Sequence, residues 1–183
     1  GLKISKNKEL CSNHMNQYPT IFITLKEIEG RDFKEAFDIF KEKIINLYNS
    51  FSFLEYSDKL KTSDKELFNR LHHGAATDME FIKSLSILTR LLYSHYNKLV
   101  ILLIDEYDVP LAKAINNDYY NEMLSVMRGF MQVLENNNHL NIAVLTGCLR
   151  ISKESIFTGT NNFYVSSITS KKYSEYFGFT HNE

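Results

Sequence analysis

Two adjacent carboxylates, Asp105 and Glu106, close an unbroken apolar run, LVILLI at residues 99–104, and a third acid, Asp108, follows two residues on. Such a run is the pattern of a strand buried in a parallel sheet, and acids at its carboxyl end stand where ligands bind in α/β folds. A magnesium ion bridging nucleotide phosphates takes oxygen ligands and keeps several waters, so one strand-end carboxylate can hold it, directly or through water. Asp105 has that place. A neighbouring acid that points elsewhere can reach and deprotonate an attacking water, and Glu106 has that one. Two adjacent acids exceed what a helix cap requires. Asp108, with Pro110 two residues later, reads instead as the N-cap of a following helix with proline in its first turn.

A second apolar run, residues 141–145, ends in Thr146-Gly147, and Arg150 follows within four residues. A hydroxyl at the end of a neighbouring strand could hydrogen-bond an attacking water or a terminal phosphate, and an arginine could neutralise charge developing there. The same residues also suit a Thr-Gly turn and a surface arginine, and spacing alone does not separate the two. The expectation is that both strands end side by side and gather Asp105, Glu106, Thr146 and Arg150 around one shallow cleft.

Strands and helices must alternate to place these ends. Residues 20–25, TIFITL, read as a short buried strand after Pro19. Asp32 and Glu35 have capping-box spacing before an apolar stripe from Phe33 to Phe51, a long amphipathic helix. Its aromatics are core rather than a base-stacking platform, since no basic residues interleave them. Residues 52–65 read as a loop, and a short helix starts near Ser63 and ends at Gly74. Thr77 and Glu80 open one helix running toward His95, which feeds the strand at 99–104. Residues 109–115 give one or two helical turns, and residues 118–135 a long helix with core-filling methionines. A last strand is expected over residues 163–168. The order implies an α/β fold: a mostly parallel sheet with helices on both faces, and residues 1–183 forming one domain or most of one.

Composition sets further bounds. The 183 residues are 44% hydrophobic with a formal net charge of -1, which indicates a globular chain with no global positive field for nucleic acid or anionic membrane. No apolar run approaches the ~20 residues that span a bilayer, and no secretory signal is visible, so a cytoplasmic location is expected. Cys11 and Cys148 are two and far apart, which suits reduced thiols, with Cys148 a small buried one near the site. The six histidines show no HExxH and no Cys-Cys-His spacing, and His72-His73, just before Gly74, suit a helix end where a cation favours the dipole. No metal role is assigned to them.

The segments LLIDEYDVPL, IAVLTGCLRISKESIFTGTNNF and EYFGFT, in that order, resemble the AAA-ATPase-like domain of bacterial proteins, which often precedes a nuclease-like domain. GLKIS and YPTIFITLKEI near the N-terminus resemble segments of the same family, so the likeness extends over nearly the whole chain. The resemblance implies a P-loop ATPase core of the additional-strand class. Asp105 would then be the magnesium-associated Walker B acid and Glu106 the water-activating acid. Thr146 would be sensor-like and Arg150 a phosphate-side cation, while Ser152, Ser155, Asn161 and Asn162 share the motif without an assigned chemistry.

One feature of the family is missing. None of the seven glycines belongs to a GxxxxGK[ST] loop, and no Gly-Lys-Ser or Gly-Lys-Thr occurs. Without those amides and that lysine, most of the binding energy for the outer phosphates is missing. The chain therefore reads as the central fragment of an ATPase-like module, its core lacking the first strand and the phosphate loop. Thr180 and Glu183, in capping-box spacing, look like the start of a further helix. Magnesium and ATP belong on this reading to a longer parent, and this chain alone is expected to bind neither well. Alternatives are a non-catalytic binding or regulatory module on the same scaffold, and a magnesium-dependent nuclease using Asp105, Glu106 and Asp108. The last is disfavoured by the lack of a lysine one residue after a strand acid and of a basic face. A missing strand would also leave the 141–146 edge bare. It could be filled by the 163–168 segment, by the N-terminal LKIS, or by a second copy in a homodimer.

Overall fold

A computed structural model describes residues 3–148, 164–167 and 170. In chain order the main elements are α1 (Lys8–His14), β1 (Thr20–Thr24), α2 (Phe33–Asn49), α3 (Thr62–His72), α4 (Asp78–Ile82), α5 (Ser84–Tyr96), β2 (Val100–Asp105), α6 (Val109–Ile115), α7 (Tyr120–Met131) and β3 (Leu140–Leu145). The three strands form one parallel sheet in the order β1-β2-β3. The chain is thus α/β with a parallel sheet, as its alternation of elements implies.

Strand side chains alternate, so each face of this sheet has its own set. Ile21, Ile23, Val100, Leu102 and Ile104 are buried in one continuous core with α2, α5 and α7. Phe40 of α2 meets Phe130 of α7 edge-on, with centroids 5.1 Å apart. Two successive right-handed crossovers stepping the same way across a sheet put their helices on the same side. The alternate face is correspondingly open: Phe22, Ile142 and Val144 are 59%, 53% and 45% exposed. Helices α2 to α7 all put residues into this core, whereas α1 buries none.

Several boundaries differ from the sequence expectation. The single helix expected from Thr77 to His95 is two, broken at Lys83 (φ −90°, ψ 6°). There the buried Tyr48 hydroxyl donates to the Ser84 carbonyl at 2.8 Å, and α4 lies against α7 so closely that a Cβ on Gly129 would come within 2.4 Å of Ile82. The loop expected at 52–65 contains a 3-10 turn, Ser52–Tyr56. The long helix expected over residues 118–135 starts at Tyr120, because Asp118 is left-handed (φ 58°), and ends in a 3-10 turn, Gln132–Leu134. Residues 164–167 are irregular rather than a strand, and Lys3–Lys6 near the N-terminus form a 3-10 turn. Among the described residues β3 pairs with β2 alone.

α3 and α4 are joined electrostatically at their caps. Thr77 and Glu80 form a reciprocal capping box, and Arg70 of α3 donates to Glu80 Oε1 at 2.5 Å. The Arg70 guanidinium, and after it the Thr77 backbone N–H, push the Glu80 carboxyl down from 4.5 to about 2. A carboxyl lowered on folding contributes stability above its unfolded pKa, lost as pH falls through the folded one. Glu80→Gln should therefore lower the urea midpoint at pH 7, with the deficit against wild type shrinking as pH falls from 4.5 towards 2. Thr77→Ala should cost about 1 kcal/mol through the lost cap, read from the same titrations.

Candidate functional site

β2 is held on both edges where it ends. Leu25 N–H donates to the Asp105 carbonyl at 2.9 Å on one side, and Thr146 N–H to the Ile104 carbonyl at 2.9 Å on the other. Pairing in the sheet is Ile23 with Ile104 and Ile104 with Leu145, so Asp105 and Thr146 come next, side by side on the open face. The Thr146 hydroxyl donates to Asp105 Oδ1 at 2.5 Å. Asp105 is half-buried and Thr146 exposed.

Glu106 adopts φ +52°, the left-handed region that a non-glycine residue occupies at a cost. The reversal turns its side chain out of the strand's alternation. Two backbone hydrogen bonds hold it there: Tyr107 N–H donates to the Thr146 carbonyl at 3.1 Å, and Val109 N–H to the Glu106 carbonyl at 3.2 Å. Nothing in the sequence marked this conformation, because glutamate has no preference for it.

Asp108 stands where the sequence reading places it, but its side chain does different work. It occupies the N-cap position of α6, with Pro110 in the first turn, but its side chain makes no cap hydrogen bond. At 2% exposed it turns to the β3 side, where Oδ2 accepts from Cys148 N–H at 3.2 Å. Gly147 makes this approach possible, because a Cβ there would lie 2.4 Å from Asp108 Oδ1 and 2.9 Å from the Tyr107 ring. Cys148 is exposed, not buried as the sequence suggested, and both cysteines are free thiols. Asp105 and Thr146 are thus brought together, with Glu106 following Asp105 in the chain and Asp108 bracing the turn after β3. Arg150, Ser152, Ser155, Asn161, Asn162, Thr180 and Glu183 lie outside the described residues.

In this parallel α/β sheet the adjacent carboxyl ends of β2 and β3 thus carry a hydroxyl-bound aspartate followed by a left-handed glutamate. A family model described as "Predicted AAA-ATPase" matches residues 1–157, and the chain belongs to this AAA-ATPase-like family. A protein of Azotobacter chroococcum mcd 1, named "Uncharacterized protein in vnfD 5'region", is 31% identical over 86 residues, covering 46% of this chain and 16% of that relative. The chain thus corresponds to a small part of that relative's length. No solved structure matches it. Among the described residues no helix is long and apolar enough to cross a membrane.

The packing at Gly147 gives a direct test. Gly147→Ala must displace Asp108 or Tyr107, and overpacking of this kind costs roughly 1–3 kcal/mol. The expected result is a lowered urea midpoint, together with faster amide exchange at Cys148 as its acceptor moves away.

Proposed function

We propose that the chain carries the Walker B and sensor-like strand ends of an ATPase module, and that a longer protein with a phosphate loop performs the hydrolysis. The carrying observation is the Thr146–Asp105 hydrogen bond across β2 and β3, with Glu106 turned out beside it in a left-handed conformation. The donor set fits magnesium: carboxylate and hydroxyl oxygens without sulfur or imidazole are what a hard dication takes. Asp105 would hold the ion, directly or through water, and when bound magnesium supplies charge neutralisation on the phosphate oxygens.

The chain's own residues then divide the work. Thr146 orients the Asp105 carboxylate through its hydroxyl. Glu106, released from the strand direction, accepts the proton of the attacking water. Arg150 is the cation proposed for charge developing on the transferred phosphate. Asp108 holds the Gly147-Cys148 backbone in place and is assigned no metal, which argues against the nuclease arrangement of three carboxylates.

In the longer protein, Glu106→Gln should leave nucleotide binding intact and lower turnover by roughly 10²–10⁴-fold, the contribution of a positioned general base. Binding by fluorescent nucleotide titration and turnover by phosphate release measure the two separately. Unchanged turnover would remove Glu106 from this role.

A second reading, a binding module, is favoured by the β3 edge, which pairs on one side only among the described residues and carries exposed Ile142 and Val144. An unpaired edge is a template for another strand, and we propose a second copy of the chain as its occupant. Light scattering should then give a dimer for this chain, converted to monomer by Val144→Lys; a monomer at all concentrations would reject it.

A further inference from the structure

We propose that Glu55, His72 and His73 form a binding site for a borderline transition-metal dication, with zinc as the best fit, clipping the 3-10 turn Ser52–Tyr56 to the end of α3. One ligand atom from each of the three residues lies within 4.8 Å of the other two. Nδ1 of His72 is buried and has no hydrogen-bond partner, an arrangement that costs free energy unless something binds there. Two imidazoles and a carboxylate are the ligand types of zinc sites that keep a fourth position for water. Magnesium and calcium, which require oxygen, do not suit this set.

The surrounding structure positions the ligands. The His72 ring packs on buried Phe68, with centroids 5.4 Å apart, and Phe68 in turn packs on Tyr48 at 5.3 Å. Gly74 takes φ +74°, and Ala75 N–H returns to the Arg70 carbonyl at 2.8 Å, so α3 ends on the histidine pair. Its last carbonyls carry partial negative charge, which favours a cation there. The His72 and His73 rings are 4.5 Å apart at an interplanar angle of 35°. Donors around a tetrahedral zinc at ~2.1 Å stand roughly 3.4 Å from one another. The exposed side chain of His73 has the freedom to close that difference.

The test uses the full chain, with cobalt as an optical probe and zinc in melting experiments. One equivalent of cobalt should produce visible ligand-field absorption that one equivalent of zinc abolishes. Zinc at a hundredfold excess over its Kd should raise Tm by roughly 5 °C or more, and magnesium should not. His73→Ala and Glu55→Gln, at residues outside the core, should each weaken cobalt binding by at least about tenfold, while His14→Ala leaves it unchanged. Absence of cobalt absorption, equal binding in His73→Ala and Glu55→Gln, or an equal loss in His14→Ala would overturn the proposal.

Discussion

β2 is the element on which the molecule depends, because it is hydrogen-bonded along both edges and has no freedom to slip. A one-residue shift in a parallel ladder would carry every side chain to the opposite face. Ile104 would leave the core and Asp105 would enter it, burying a carboxylate without water or a partner. The fixed register therefore does two things at once. It seats Val100, Leu102 and Ile104 in the hydrophobic cluster, and it presents Asp105 on the open face beside Thr146.

The crossovers extend that constraint to the rest of the fold. Each parallel connection must return the chain to the starting end of the sheet, and the helices that do so bring Phe40, Leu88, Leu92, Met127 and Phe130 onto the same side of β1 and β2. Close backbone approaches tighten the layer, as at Gly129 against Ile82. The opposite face is left with exposed Phe22, Ile142 and Val144 and with the candidate site at its edge. Core and site are separated by the pleat of a single sheet.

At the strand ends, polar contacts replace packing. The backbone crosses from Leu25 to Asp105, from Thr146 to Ile104 and from Tyr107 to Thr146, so the turn after β2 is sewn to the turn after β3. This network compensates the left-handed backbone of Glu106, and the buried Asp108 side chain closes it against Gly147 and Cys148. A strained residue over-determined by its neighbours is held in one orientation, which is the property a site residue needs.

The sequence by itself determined the class of fold and the strand ends. The apolar run into Asp105-Glu106 and the run into Thr146-Gly147 are local patterns, short apolar segments rich in branched residues that end abruptly on polar ones, and they are identified without reference to distant residues. It determined the caps at Asp32 and Thr77 for the same reason, since a cap is settled within four residues. Tertiary structure alone decided the break at Lys83, where the partners are Tyr48 and Gly129 from distant elements. It alone aimed the Asp108 side chain, at the N-cap of α6, away from the helix and onto the Cys148 N–H, since that choice depends on a backbone 40 residues away. It also brought Glu55 to His72 and His73, a grouping invisible in spacing because its members come from two elements joined by packing. Local rules end where a side chain has one partner nearby in sequence and another nearby in space; burial decides between them, and burial belongs to the whole fold.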